Sequence, residues 1–182
     1  PAAIARMRAL VELCGSAGMP VVWTRQEHLA ADASREAKVL APHTARRGRV
    51  AALAGTWDAE LVDELAPLAG DPARVVVKHR FGCFHATRLE PLLAASGTRT
   101  LLVAGATANA CVDTTLREAY MRDFDLVAVT DCITAVRPDW ERAAHEIWGH
   151  YLAELATLAD VGAWLAGRGA ITTTRAVSKE GP

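Results

Sequence analysis

The chain lacks an excess of charge of either sign. Its 182 residues hold 20 Lys and Arg against 21 Asp and Glu, which gives a formal net charge of −1. Proteins that follow a phosphate backbone carry clustered basic charge, so this balance disfavours a nucleic-acid partner. No apolar run approaches the roughly 20 residues of a membrane helix, and no signal peptide pattern opens the chain. We therefore expect a cytoplasmic protein without nucleic-acid or membrane partners.

Cysteine is also scarce, and its spacing is irregular. The four cysteines, at positions 14, 83, 111 and 132, form no CxxC pair. This arrangement disfavours a zinc site and a small disulfide framework, so we expect reduced thiols. Cys14, Cys83 and Cys132 are predicted to be small core residues. The sequence predicts no metal and no cofactor.

Apolar residues, by contrast, are plentiful enough for one folded core. They make up 51% of the chain, and charged residues make up 23%, as expected for a single globular domain of this length. Short apolar runs predict strands at 21–24, 74–78, 100–106 and 125–130. Helical periods cover 2–17, 58–65, 87–97, 112–122, 139–154 and 161–165.

This alternation of strand and helix predicts the fold class. It is typical of an α/β protein with a doubly wound, mostly parallel sheet and helices on both faces, a Rossmann-like three-layer arrangement. We expect one domain over 1–167, with a long surface excursion over 25–55 and a flexible tail over 168–182.

Two residues at the predicted carboxyl edge of the sheet are candidates for chemistry, because ligands bind at that edge in such folds. Lys78 follows three valines and is one of only three lysines. Cys111 follows strand 100–106 through a loop of small residues, at the start of a helix whose positive dipole end favours a thiolate. Two other interpretations stay open at this point: a strand-end lysine that extends to water, and a core cysteine in an Ala-rich turn.

The segments VVVKHRFGCFHATRLEPLL and LLVAGATANACVDTTLREAYMRDFDLVAVTDCITA resemble the isochorismatase-like cysteine hydrolases. That family includes nicotinamidases, N-carbamoyl amidases, ureidoacrylate and biuret hydrolases, and isochorismatases. The resemblance implies an isochorismatase-like fold and an Asp-Lys-Cys triad, with Cys111 as nucleophile and Lys78 as the lysine. It also implies a non-proline cis peptide at Ala106–Thr107, which would direct the N–H groups of Thr107 and Cys111 at an oxyanion.

The sequence departs from the family pattern in two places. Nicotinamidases carry an Asp-x-His metal motif where this chain reads Thr-Arg-Gln-Glu-His at 24–28, so His28 is predicted to be a surface or pocket residue. The family's general base is an Asp at the end of a strand that precedes the first helix. We expect such a strand upstream of Pro1, with Asp131 as the only internal substitute.

We predict a cysteine-dependent hydrolase that cleaves a C–N bond in a small amide, carbamoyl or ureido compound through a thioester. The side chains expected around the substrate are Trp23, Arg25, Arg80, Phe81 and Phe84, with the two arginines as carboxylate anchors.

Two alternatives to amide hydrolysis stay open. One is ether hydrolysis of the isochorismatase type, and the other is a non-catalytic binding or oligomerisation module that has lost its base. The predicted helix 139–154 carries more apolar surface than one sheet face can cover, so we also expect a homodimer or larger assembly. Its apolar side chains are Trp140, Ile147, Trp148, Tyr151 and Leu152.

Overall fold

The computed structural model describes residues 2–29 and 51–167, in which helices alternate with strands. The helices are α1 Ala2–Ser16, α2 Leu89–Ala95, α3 Asp113–Tyr120, α4 Pro138–Tyr151 and α5 Leu158–Leu165. The strands are β1 Trp23–Gln26, β2 Val75–Lys78, β3 Thr100–Ala106, β4 Asp125–Thr134 and β5 Glu154–Ala156. A π-helical turn, Ala108–Val112, leads directly into α3. The central part of the predicted excursion, 30–50, and the predicted tail, 168–182, lie outside the described residues.

All strand pairings among the described residues are parallel. β1 pairs with β2 in a register that places Gln26 beside Lys78. β4 lies between β3 and β5 in a second sheet. Parallel neighbours need crossover connections, and in the second sheet α3 connects β3 to β4 and α4 connects β4 to β5. The carboxyl ends of β1 and β2, where ligands bind in such sheets, therefore bring Gln26 and Lys78 to the same edge.

Two cores lie on opposite faces of the three-stranded sheet, because successive side chains of β4 point to opposite sides. Leu126 and Ala128 belong to one core, with buried residues of α2, α3 and α4. Val127 and Val129 belong to the other, with buried residues of α1 and α5. Helices therefore cover both faces, and the predicted doubly wound α/β fold is confirmed.

β1 and β3 each have one edge that no described strand occupies. Among the described strands, β1 bonds only to β2, and β3 bonds only to β4. The side chains of Thr100, Ala104 and Ala106 are exposed along β3, although the strand is apolar enough to be central. The two unpaired edges belong to different sheets of the same fold.

The structure corrects two predicted elements. No α-helix forms over 58–65, where the chain makes short 3-10 turns at Trp57–Ala59 and Ala66–Leu68. The Asp58 carboxylate accepts hydrogen bonds from Thr56 Oγ1 and Ala52 N, and such local bonds compete with a helix.

The last predicted long helix is also shorter than its pattern suggests. α4 ends at Tyr151, since the N–H groups of Leu152 and Ala153 both donate to the Trp148 carbonyl. The chain then forms β5 against Val127–Val129 of β4. No helix in the described part of the chain is both long and apolar enough to cross a membrane.

Candidate active site

A buried ammonium group lies at the centre of the site. Lys78 ends β2, and only 3% of the residue is exposed. Its Nζ donates to Gln26 Oε1 at 2.7 Å, to the Arg80 carbonyl at 3.0 Å and to Cys111 Sγ at 3.4 Å. An ammonium has three N–H donors, and each one has a partner here.

The charge of Lys78 has no carboxylate counterpart within residues 2–29 and 51–167, where none of the ion pairs includes it. Two of its three partners are neutral oxygens. A buried charge is stable only when it is paired or well hydrogen-bonded. The third partner, the Cys111 sulfur, is the only one of the three that could carry a negative charge beside this ammonium.

Cys111 is held in place by the backbone of its own turn and by α3. It is half-buried within the π-helical turn that follows β3. Its carbonyl accepts a 2.7 Å hydrogen bond from Thr115 Oγ1, which also accepts the N–H of Cys83 at 3.2 Å. Asp113 Oδ1 accepts from Trp148 Nε1 at 2.9 Å and fixes the start of α3 against α4. These contacts position the sulfur beside Lys78.

The other three thiols lie in the cores, as predicted. Cys14, Cys83 and Cys132 are buried and form no disulfide. Burial raises the pKa of Cys14. Burial, with the negative charge of Asp131, raises the pKa of Cys132 to about 12. These two thiols therefore stay protonated at neutral pH.

The loop after β2 crosses the start of α3 and is held there by a carboxylate. Glu118 Oε2 accepts the N–H of Phe84 at 3.0 Å. A Cβ atom at Gly82 would overlap the carboxylate of Glu118. A larger residue at position 82 would therefore displace the Glu118 carboxylate from its hydrogen bond with Phe84.

The five side chains predicted around the substrate lie in three different environments. Arg25 donates to the Ala59 carbonyl and pairs with Glu27 and Glu60. Phe84 packs in a core, where its ring lies 5.8 Å from that of Phe124.

The remaining pocket candidates lie closer to solvent. Trp23 is half-buried in β1, and Phe81 is 45% exposed. Arg80 lines a cavity of about 160 Å³ with His79, His85, Leu29 and Ala86. The Arg80 carbonyl also binds Lys78, so Arg80 connects this cavity to the Lys–Cys pair, although neither Lys78 nor Cys111 lines the cavity.

The peptide bond between Ala106 and Thr107 is cis. It connects the end of β3 to the turn that contains Cys111.

Asp131, the internal candidate for the general base, is bound in the layer of α1 and α5. Its Oδ1 accepts the Leu158 N–H at 2.8 Å, and its carbonyl accepts from Arg6 Nε at 2.6 Å. No cluster of three or more His, Cys, Asp or Glu suited to a metal occurs among the described residues. His28 pairs through its backbone with Leu53.

Comparison with known protein families identifies the family to which this fold and site belong. The model of the isochorismatase domain matches residues 1–160. The chain belongs to the isochorismatase family.

Relatives within the isochorismatase family are found by sequence and by structure. The ureidoacrylate amidohydrolase of Methylorubrum extorquens is 40% identical over 84 residues, which cover 46% of this chain and 33% of that protein. The chain spans about a third of the length of the curated relatives that it matches.

Two solved structures share the architecture over most of their length. An isochorismatase family protein from Desulfovibrio vulgaris superposes with a TM-score of 0.78 at 29% identity, covering 90% of this chain and 84% of that one. N-carbamoylsarcosine amidase from Thermoplasma acidophilum superposes with a TM-score of 0.68 at 25% identity, covering 86% and 83%.

Sequence reasoning missed several residues that build this isochorismatase-type site. Thr115 and Glu118 lie one and two turns into α3, and Asp113 precedes them, where all three look like ordinary helix-surface residues. Gln26 offered one signal in the sequence, because it is the only glutamine of the chain.

Proposed function

We propose that this chain is a cysteine hydrolase that cleaves the C–N bond of a small amide, carbamoyl or ureido compound. The observation that carries the proposal is the buried Lys78 ammonium, whose Nζ lies 3.4 Å from Cys111 Sγ and has no carboxylate partner among the described residues. A thiolate held beside a fixed positive charge is an activated nucleophile.

The first half-reaction forms a thioester. The Cys111 thiolate attacks the substrate carbonyl carbon, and the C=O electron pair moves to oxygen. We propose that the N–H groups of Thr107 and Cys111 stabilise this oxyanion from the turn beyond the cis peptide. The C–N bond then breaks as the oxyanion collapses, and the amine or ammonia leaves with a proton from a general acid.

The second half-reaction restores the enzyme. Water attacks the thioester, and the group that gave its proton to the amine now accepts one from the water. The C–S bond breaks, which releases the carboxylic or carbamic acid and returns the Cys111 thiolate to Lys78. No redox partner is needed in either half.

The general acid and base is proposed to be a carboxylate at the end of a strand seated between β1 and β3. Support comes from the unpaired edges of these two strands and from their ends, which lead to Gln26 and to the turn of Cys111. Asp131 is a weak substitute because its carboxylate already binds the N–H of Leu158.

The substrate class follows from the relatives and from the cavity near the Lys–Cys pair. Two relatives are named ureidoacrylate amidohydrolase and N-carbamoylsarcosine amidase, names that specify a ureido and a carbamoyl compound. The cavity of about 160 Å³ beside Arg80, His79 and His85 supports a small substrate that carries a carboxylate.

The test is ammonia release from a panel of amides, ureas and N-carbamoyl amino acids, followed by intact-mass detection of the acyl-enzyme after rapid acid quench. We expect turnover of at least one ureido or carbamoyl compound, with an adduct that maps to Cys111. Cleavage of a vinyl ether without any adduct would instead establish the isochorismatase-type reaction. Binding without turnover would establish a non-catalytic module.

Assembly and location complete the proposal. Trp140, Ile147 and Tyr151 expose apolar surface on α4, whereas Trp148 is fully buried. We propose that this surface forms a homodimer or larger assembly, and that the protein acts in the cytoplasm. Light scattering at micromolar concentration tests the assembly, and a monomer would contradict it.

A further inference from the structure

Gln26 occupies the position next to the reactive pair on the neighbouring strand. It ends β1 directly beside Lys78 of β2. Side chains alternate along a strand, and Thr24, two residues earlier, lies 3.5 Å from Cys83 Sγ in the loop above α3. Gln26 therefore shares the face that contains the Lys–Cys pair, while Arg25 contacts Ala59 on the other face.

The orientation of the Gln26 amide is fixed by its partner. Lys78 Nζ can only donate, so the group 2.7 Å from it must be the amide oxygen, Oε1. The amide nitrogen, Nε2, then points away from Lys78. It is one of two buried side-chain nitrogen or oxygen atoms without a hydrogen-bond partner among the described residues.

A buried donor without an acceptor is unfavourable, and native proteins keep few of them. Some of those that persist lie at functional sites, where a ligand supplies the missing partner, whereas the second such atom here, His145 Nε2, lies away from the Lys–Cys pair. Side-chain amides are also rare in this chain: Gln26 is the only glutamine, and Asn109, two residues before Cys111, is the only asparagine. The single glutamine thus lies where its oxygen binds Lys78 and its nitrogen has no acceptor among the described residues.

We propose that Gln26 is a substrate-positioning residue, which orients Lys78 through Oε1 and donates a hydrogen bond from Nε2 to a carbonyl oxygen of the substrate. This inference rests on the proposed function for the identity of the substrate. It adds a contact that selects compounds with an oxygen acceptor next to the reacting carbon. A neutral amide suits both tasks, because a carboxylate here would pair with Lys78 and repel a carbonyl oxygen.

The test compares two alkylating reagents that modify Cys111. Iodoacetamide carries a carbonyl oxygen beside its reactive carbon, and iodoethane carries no acceptor. Both react with the same thiolate, so the ratio of their rate constants cancels any change in thiolate content or general accessibility. The rates are followed by peptide mass spectrometry at Cys111 in the full chain.

We expect Gln26→Met to lower the ratio of iodoacetamide to iodoethane rates five- to tenfold, the effect of losing one neutral hydrogen bond. Gln26→Glu, which keeps the shape and an oxygen for Lys78 but has no donor, is expected to lower the ratio at least as far. Arg8→Met on the exposed side of α1 is the control and keeps the wild-type ratio. A wild-type ratio in either Gln26 variant overturns the proposal.

The result is independent of turnover. A chain that shows the ratio change but hydrolyses no ureido, carbamoyl or amide compound would contradict the proposed function and leave the role of Gln26 intact. A chain that hydrolyses such a compound while both variants keep the wild-type ratio would contradict only the role of Gln26.

Discussion

Cys111 and Cys132 carry the same thiol in neighbouring parts of one sheet, and their surroundings give them opposite properties. Cys111 follows β3, is half-buried, and lies 3.4 Å from the Lys78 ammonium. Cys132 lies within β4, is fully buried, and is next to Asp131, with its pKa raised to about 12. The chain thus places its buried positive charge beside one sulfur and a negative charge beside the other.

The proposed difference in reactivity between the two thiols therefore rests on the groups that surround each sulfur. Packing protects Cys132 from water, and a carboxylate makes its anion still less favourable. Cys111 instead forms a hydrogen bond with an ammonium whose other two partners are neutral. Each prediction below changes one side of this contrast.

Removal of the sulfur itself has the largest expected effect. Cys111→Ala is expected to reduce ammonia release by at least about 10³-fold, because no other group can form the thioester. Cys132→Ala should keep the wild-type rate and lose about 1–2 kcal/mol of stability through the cavity left in its core. Steady-state assays and urea unfolding measure the two effects. Equal activity of both variants would contradict the assignment of the nucleophile.

Alkylation of the wild-type protein should differ strongly between the two thiols. At pH 7 a group with a pKa of about 12 is ionised only about once in 10⁵ molecules, so iodoacetamide should modify Cys111 at least about 100-fold faster than Cys132. In concentrated urea the rates should converge, since the surroundings are lost. Preferential modification of folded Cys132 or Cys83 would refute this comparison.

Removal of the positive charge should bring Cys111 closer to an ordinary cysteine. Lys78→Met is expected to lower turnover about 30- to 100-fold, which corresponds to about 2–3 kcal/mol of lost electrostatic stabilisation. Arg8→Met removes a positive charge on the exposed side of α1 and should change turnover less than twofold. Wild-type turnover in the Lys78 variant would exclude the ammonium from the mechanism.

The smallest expected effect concerns the layer that supports the start of α3. The His145 ring packs against the Trp148 ring at a tilt of 49°, and Trp148 Nε1 donates to Asp113. Burial lowers the pKa of His145 below its ordinary value of 6.5. Between pH 6.5 and the lower pKa of His145 in the folded protein, the unfolded chain binds more protons than the folded chain. The free energy of unfolding should therefore fall as the pH drops below 6.5.

Substitution of His145 by Leu should flatten this dependence between about pH 6.5 and 5.5, where few carboxylates titrate. The melting temperature measured across that window, in the wild type and in the variant, checks the expectation. An unchanged slope in the variant would assign the dependence to another group. Cys111 alkylation should be unaffected at constant pH.

Much of the architecture follows from local patterns in the sequence. The valines before Lys78 and the apolar run before Gly105 predict strands, and the polar loops between them predict which strand ends share an edge. The apolar residues of β4 also predict that its side chains are buried on both faces of the sheet. Short-range periodicity describes these elements because each one buries the face that its pattern defines.

Elements that depend on distant partners could not be predicted in this way. β5 is three residues long, and the pairing with Val127–Val129 makes it a strand. Asp58 has the propensity of a helix N-terminus, yet its carboxylate binds Thr56 and Ala52. Within the site, Lys78 and Cys111 are visible from strand-end position, whereas the role of Gln26 depends on a register across two strands.

The alternation of β4 between the two cores has a consequence for how the protein comes apart. Leu126 and Ala128 pack under one helical layer, while Val127 and Val129 pack under the other. Detachment of either layer would expose the β4 side chains that face it and leave the strand supported on one side only, so the two layers should melt in one cooperative transition. The amide protons of β4 should consequently exchange with solvent only through global unfolding and report the full stability of the domain.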